Sequence, residues 1–346
     1  MDTEISHPIA FGRLEALVDQ WNLLELGEKE GFLDSLPGAE REALKRITSN
    51  AEGAEKWFSE TMNLMHPILP PRDAANHKRG DMIAHFRIES LIHQRIMCSV
   101  YVARDTHLDR MVALKLVDLH SVQNYKEFLR EARIIARFEH DNICSIRSSG
   151  FTDSHTGYME MPLYLGDTLR SNLEWQRPSD EETVSVALQV AAGLEIAHSA
   201  GIIHRDIKPE NLFVEQSGRV RILDFGIARM MSRFPSTIAG VLKGTIPYVS
   251  PESITDPPVG PETDFWSLGV VLYEMASGKQ PFRGISIVEI IDSILKTEPD
   301  PVPGISGPLE LLLKRCLEKN PEKRIQSAEE VREILGPPRN ESRGID

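Results

Sequence analysis

The sequence contains few cysteines and no excess of positive charge. Its 346 residues include three cysteines, Cys98, Cys144 and Cys316, too few and too far apart for a disulfide framework or a zinc site. This predicts a protein of a reducing compartment. The formal net charge of −13 argues against nucleic acid or an anionic membrane as the main partner.

Long hydrophobic runs are missing as well. The most apolar stretch, residues 268–276, is too short to span a bilayer and contains Glu274. No basic segment followed by an apolar one marks a signal peptide at the N-terminus. With 41% hydrophobic and 26% charged residues, the chain nevertheless has the composition of a globular protein with a sizeable core. We therefore expect a cytoplasmic protein that does not bind a membrane.

The most informative polar residues are concentrated in residues 203–226, which read IHRDIKPENLFVEQSGRVRILDFG. A loop containing Asp206, Lys208 and Asn211 precedes one short predicted strand, and Asp224 follows a second. The triplets His-Arg-Asp and Asp-Phe-Gly at this spacing, with Lys-Pro-Glu-Asn between them, resemble the protein kinase family. The resemblance is to its bacterial, eukaryotic-like serine/threonine branch.

The resemblance implies a role for each polar residue in moving the γ-phosphoryl group of ATP to a protein serine or threonine hydroxyl. Such catalysis consists mostly of positioning and electrostatic stabilisation. Asp206 would accept the hydroxyl proton, and Lys208 would lie against the γ-phosphate. Asn211 and Asp224 would supply the oxygen ligands that Mg²⁺ prefers. Thr245 would bridge Asp206 and Lys208 through its hydroxyl.

Further positions implied by the resemblance form the ATP site. Lys115, in Val-Ala-Leu-Lys, would hold the α- and β-phosphates, and Glu131 would be its ion-pair partner. Met161 falls at the gatekeeper position, and adenine would bind the carbonyl of Pro162 and the N–H of Tyr164. The apolar walls of the adenine slot would be Ile92, Val100, Ala113 and Phe213.

The sequence departs from the family at the glycine-rich loop that covers the phosphates. His93, Arg95 and Cys98 occupy its three glycine positions, where glycine normally lets backbone N–H groups approach the phosphates. Two functions therefore stay open. One is an active kinase that phosphorylates other proteins or itself. The other is a pseudokinase that serves as a scaffold or a regulatory binding module.

The second half of the chain has further family features. Glu252 and Arg324 are expected to form a buried ion pair, and Asp264 begins a predicted buried helix that anchors the catalytic loop. A phosphate on the segment after Gly226 could be bound by Arg205. The candidate phosphorylation sites there are Ser232, Ser236 and Thr237.

We expect an α+β protein with the bilobal protein kinase fold: a small lobe of five strands (82–161) and a large helical lobe (162–337). Apolar residues at helical spacing predict a helical N-terminal extension over 1–65. This extension either packs on the kinase or docks a partner. Residues 66–81, rich in proline and charge, are a predicted linker, and residues 338–346 a predicted disordered tail.

Overall fold

The computed structural model describes residues 29–37, 41, 77–94, 98–118, 128, 132, 135–136, 138–152, 156–224, 246–255 and 259–336. The expected N-terminal extension and linker lie mostly outside this set, and the expected tail lies entirely outside it. Helix α1 (Lys29–Ser35) lies in the described part of the extension. At the end of the expected linker, the Gly80 N–H donates to the carbonyl of Ile88, whose own N–H donates to the carbonyl of Asp81.

The small lobe contains an antiparallel sheet of six strands in the order β1-β2-β3-β4-β6-β5. The sequence predicts five strands, one fewer than the structure contains. The additional strand has only two residues, which is too short to show an alternating pattern. The strands are β1 (Met82–Ile83), β2 (Phe86–Gln94), β3 (Cys98–Asp105), β4 (Arg110–Asp118), β5 (Ser148–Phe151) and β6 (Thr156–Pro162).

Strand β3 explains why these segments form a two-faced sheet. Its residues alternate between buried and half-buried positions along the whole strand, as expected when successive side chains point to opposite faces. One face, with Phe86 and Tyr101, forms the small-lobe core. On the other face Val100 lies opposite Lys115, and directly opposed residues share a face of the sheet. Lys115 on this second face contacts Asp224 of the large lobe, so the face borders the cleft between the lobes.

The large lobe is built around helix α5 (Glu262–Ser277). Thirteen of its 16 residues are buried, so the helix is enclosed on almost all sides and lies inside the core. It ends at Gly278, whose φ of 71° is the left-handed conformation that glycine adopts freely. The other helices of this lobe are α2 (Leu169–Trp175), α3 (Asp180–Ser199), α4 (Pro251–Thr255), α6 (Ile287–Lys296), α7 (Gly307–Cys316) and α8 (Ala328–Leu335).

Helix α3 leads the chain into the predicted catalytic loop. It begins with a capping box in which the side chains of Ser179 and Glu182 each accept a hydrogen bond from the other residue's backbone N–H. Its buried residues join those of α5 in one core. Of the helices that the structure describes, none is long and apolar enough to cross a membrane.

A second, three-stranded sheet lies below the cleft. It consists of β7 (Gly166–Thr168), β8 (Leu212–Glu215) and β9 (Val220–Ile222), in that order. Because β8 and β9 are antiparallel, the start of β8 and the end of β9 lie at the same edge, with Leu212 opposite Ile222. This topology brings Asn211, just before β8, next to the segment after β9 that contains Asp224.

The expected ion pair of the large lobe is confirmed. Both Nη atoms of Arg324 donate to the carboxylate of Glu252, at 2.6 and 2.8 Å, and the Arg324 side chain is fully buried. Burial alone would raise the pKa of the Glu252 carboxyl. The hydrogen bonds and positive charge of Arg324 outweigh that effect and hold this pKa below its usual value.

Candidate active site

Three polar side chains of the His-Arg-Asp segment meet in one place. Nζ of Lys208 lies 2.6 Å from Oδ1 of Asp206. Nδ2 of Asn211 donates to Oδ2 of Asp206 at 2.7 Å and to the carbonyl oxygen of the same residue at 2.8 Å. A cation and an amide thus hold the Asp206 carboxylate in one orientation. Its side chain stays 18% exposed, which leaves access for a hydroxyl that would donate its proton.

The backbone of this loop is anchored by α5, as expected. The buried carboxylate of Asp264 accepts hydrogen bonds from the N–H of His204 at 2.8 Å and of Arg205 at 2.7 Å. It also accepts one from Nε2 of His198 at 2.8 Å. Arg205 has a φ of 66°, a conformation that costs a residue other than glycine about 1–3 kcal/mol and persists only when its surroundings fix it. The bonds to Asp264 provide that constraint.

His204 connects the predicted catalytic loop to the segment that contains Asp224. Its Nδ1 accepts the N–H of Asp206 at 3.2 Å. Nε2 therefore bears the ring proton and donates it to the carbonyl of Leu223 at 2.9 Å. A second bond, from the N–H of Leu223 to the carbonyl of Asn211 at 2.8 Å, joins the same two segments. The predicted proton acceptor and the predicted metal ligand are thus held at a fixed separation.

Lys115 and Asp224 meet across the cleft, although 109 positions separate them. Nζ of Lys115 lies 2.5 Å from Oδ1 of Asp224. The lysine side chain is 2% exposed and the aspartate 25%, so this pair is screened by water much less than a surface pair. Asp224 has a φ of 60°, a strained conformation for aspartate that is typical of functional sites. The arrangement brings together the cation predicted to bind phosphate and a carboxylate predicted to bind the metal.

The oxygen atoms of this site fit a magnesium ion. Oδ1 of Asn211 is buried and has no hydrogen-bond partner among the residues the structure describes, although its amide nitrogen is fully used. The carboxylate of Asp224 is the second oxygen ligand. Both are hard donors of the kind that Mg²⁺ prefers. In the described ranges no group of three or more His, Cys, Asp and Glu residues could enclose a metal, so phosphate oxygens would have to complete its coordination.

The predicted adenine-site residues lie on both sides of the cleft. Ala113 is opposite Met161 in the β4–β6 pair, and Val100 is on the same sheet face beside Lys115. Pro162 ends β6. Ile92 lies on β2 at a register shift with half of its surface exposed.

The remaining two predicted residues, Tyr164 and Phe213, lie together on the large-lobe side. Their ring centroids are 6.3 Å apart, and the guanidinium of Arg221 lies 4.2 Å from the centroid of the Tyr164 ring. The Tyr164 side chain thus turns toward β8 and β9. Burial raises the pKa of its hydroxyl, so this hydroxyl is neutral at physiological pH.

The hairpin that replaces the glycine-rich loop is paired almost to its tip. His93 lies opposite Val100, and Gln94 lies opposite Ser99. Two of the three glycine replacements, His93 and Cys98, therefore belong to the strands. Residues 95–97, with the third replacement Arg95, lie outside the described residues. So do Glu131, Thr245 and the three candidate phosphorylation sites.

Sequence reasoning missed two arginines beside the predicted residues. Arg221 stacks on Tyr164, and Nε of Arg170 donates to Oε1 of Glu210 at 2.8 Å, directly before Asn211. The sequence pattern did indicate a partner for Arg221, because a charged residue between Val220 and Ile222 in a short apolar strand needs one nearby. No sequence pattern indicated the partners of Arg170, because they are distant in sequence.

A two-lobed structure with this cleft is the architecture of protein kinases, and the comparison with known families agrees. The sequence profile described as protein kinase domain matches residues 93–335, which is more than half of the chain. The chain therefore belongs to the protein kinase family, and its fold is the bilobal α+β fold of that family.

The chain is similar to several bacterial serine/threonine-protein kinases. It is 36% identical to PknA of Mycobacterium tuberculosis over 251 residues, 70% of this chain and 58% of that protein. It is 34% identical to pkn3 of Myxococcus xanthus over 286 residues, 77% of this chain and 52% of that protein. Against PknB of Mycobacterium leprae the identity is 34% over 251 residues, 69% and 40% of the two chains. The chain thus spans about half the length of the curated relatives it matches.

Proposed function

We propose that this chain is a serine/threonine protein kinase that transfers the γ-phosphoryl group of ATP to hydroxyls of proteins, its own included. Lys115 binds the α- and β-phosphates, and Asn211 and Asp224 hold Mg²⁺. When bound, the ion neutralises phosphate charge. Lys208 lies against the γ-phosphate, and Asp206 accepts the hydroxyl proton.

One observation supports this proposal more than any other. Five side chains that differ in chemistry converge in one cleft: Lys115 pairs with Asp224, and Asp206 is oriented by Lys208 and Asn211. Each is a cation, a carboxylate or an amide whose charge or oxygen a nearby backbone N–H could not replace. The loss of glycine in the hairpin affects the approach of its backbone to phosphate and leaves these five side chains in place.

The second candidate function is a pseudokinase that acts as a scaffold. It is favoured by the side chains of His93 and Cys98, which occupy paired positions of the hairpin where the family has glycine. Side chains there hinder a close approach of the backbone to phosphate. This candidate predicts weak or no ATP binding, whereas the active kinase predicts both binding and transfer.

The deciding experiment is a transfer assay with radiolabelled ATP and Mg²⁺, on the chain itself and on a generic basic protein. Asp206→Asn removes the proton acceptor and should abolish nearly all transfer while leaving the fold intact. Asp292→Asn, at an exposed pair with Lys296, is the matched control and should keep full activity. Retained activity in Asp206→Asn would refute the catalytic assignment. No label in any variant, together with no stabilisation by ATP, would make the pseudokinase the better conclusion.

We also propose a cytoplasmic, protein-directed role. The free thiols of Cys98, Cys144 and Cys316 are compatible with a reducing compartment, and burial raises the pKa of the last two to about 12, so they are unreactive. The net charge of −13 disfavours nucleic acid and anionic membranes as partners. The N-terminal extension remains a candidate docking segment for a protein partner.

A further inference from the structure

A cluster of polar side chains beside the catalytic turn has no role in the steps described so far. Arg170, in the first turn of α2, donates from Nε to Glu210 at 2.8 Å, from Nη1 to Glu274 at 2.7 Å and from Nη2 to the hydroxyl of Tyr248 at 2.5 Å. That hydroxyl donates to Glu274 at 2.6 Å. These four residues, here named the Arg170 cluster, come from four different elements of the large lobe.

The partners of Arg170 hold its side chain in one orientation, whereas a solvated surface arginine has no such constraint. Its side chain is 27% exposed, and each edge of its planar guanidinium has a separate partner. Burial would lower the pKa of this guanidinium, but the hydrogen bonds and charges of Glu274 and Glu210 outweigh it and raise the pKa further. The side chain therefore stays charged, and the compact ammonium of a lysine could not reproduce its forked contacts.

Glu210 depends on this arginine more than Glu274 does. Glu274 also receives the hydroxyl of Tyr248, whereas the side chain of Glu210 has no second hydrogen-bond donor in the part of the chain that the structure describes. Oε2 of Glu210 is buried and unpaired there. Without Arg170, a partly buried carboxylate would remain beside another one, which is costly. Glu210 would then move toward water.

A movement of Glu210 would directly displace the proposed metal ligand Asn211. Glu210 and Asn211 are consecutive residues of the short 3₁₀ turn Pro209–Asn211, which begins without a side-chain cap. Displacing Glu210 shifts Asn211, whose Nδ2 orients Asp206 and whose Oδ1 faces no other partner among the described residues. We propose that Arg170 is a positioning residue that fixes the place of Asn211 and so sets the affinity for Mg²⁺. This inference rests on the proposed function.

The test compares Arg170→Gln with Arg332→Gln in the full chain. Arg332 makes a forked pair with Glu195 at 2.9 and 3.0 Å in the same lobe, between α8 and α3, and serves as the matched control. The first readout is amide hydrogen exchange. Exchange in residues 206–212 should be faster in Arg170→Gln and unchanged in Arg332→Gln. This readout needs neither ATP nor metal.

The second readout is the Mg²⁺ concentration that gives half of the thermal stabilisation by ATP. Loss of a residue that orients a metal ligand typically costs about 10–100-fold in metal affinity, and we expect a rise of that size in Arg170→Gln alone. ATP-induced stabilisation without Mg²⁺ should be unchanged. Arg170→Lys, which keeps the charge without the fork, should give an intermediate result and covers the case in which Arg170→Gln does not fold.

A second substitution separates positioning from general support of the fold. In Arg170→Gln/Glu210→Gln the uncompensated carboxylate is gone, so the turn should recover part of its slow exchange and the Mg²⁺ requirement should fall. Unchanged exchange and an unchanged Mg²⁺ requirement in a folded Arg170→Gln protein would overturn the inference. So would equal changes in Arg332→Gln. A wild type that binds no nucleotide would instead refute the proposed function, while exchange would still test the role of Arg170.

Discussion

The buried carboxylate of Asp264 offers the sharpest test of how the fold supports the site. Asp264→Asn keeps the size of the side chain but replaces one acceptor oxygen by an NH₂ donor. In the wild type, Oδ2 receives the bonds from His204 and His198, and Oδ1 receives the bond from Arg205. An asparagine can keep only one of these two sets. The NH₂ group must then face an N–H group in a site with no access for water.

The expected loss follows from those contacts. In the better orientation the variant keeps the Oδ2 bonds and loses the bond from Arg205, a hydrogen bond to a charged group worth about 1.5–3 kcal/mol. Leaving that N–H buried without an acceptor adds about 1–3 kcal/mol. The sum is about 2.5–6 kcal/mol, which corresponds to a fall in Tm of about 5–24 °C for a lobe of this size.

Thermal unfolding followed by circular dichroism measures this loss, with Asp292→Asn as the control. Asp292 and Lys296 form an exposed pair, whose removal should change stability by less than about 1 kcal/mol. Exchange at residues 204–206 should also accelerate in Asp264→Asn, since Arg205 would no longer be held at its positive φ. A Tm equal to that of the control would refute the claim that Asp264 anchors the loop.

Two further predictions concern the hairpin and the large-lobe ion pair. Replacing His93, Arg95 and Cys98 by glycine should lower the Kd for ATP by a factor on the order of ten, the value of about one hydrogen bond to a charged group. Calorimetry measures it, and an unchanged or higher Kd would mean that this hairpin covers the phosphates by other contacts. Glu252→Gln should cost about 3–5 kcal/mol at pH 7, because it leaves the buried charge of Arg324 uncompensated. The folded-state pKa of Glu252 is lowered, so its contribution is complete above the unfolded pKa of about 4.3 and is lost as the pH falls through the folded pKa. Urea unfolding should show the gap between wild type and variant closing below that pH, and a constant gap would contradict the assignment.

Sequence reasoning succeeded where partners are close in the chain or belong to a family pattern. Asp206, Lys208 and Asn211 lie within six residues, and their contacts follow from one loop. Asp264 and Glu252 were placed by the resemblance, and both contacts are present.

The features that the sequence did not predict depend on contacts between distant parts of the chain. Arg170 and Glu274 are 104 positions apart, and no periodicity relates a residue of α2 to one of α5. The two-residue β1 is too short for any pattern. The orientation of Tyr164 follows from the position of Arg221 on β9, which only the register of the second sheet determines.

The two hydrogen bonds of the His204 imidazole bear on how the activity of the site could be regulated. It ties the amide of Asp206 to the carbonyl of Leu223, so a displacement of the loop would be transmitted to the segment leading to Asp224. A regulator that acts on either segment would therefore shift the predicted proton acceptor and the predicted metal ligand together, relative to Lys115 of the small-lobe sheet.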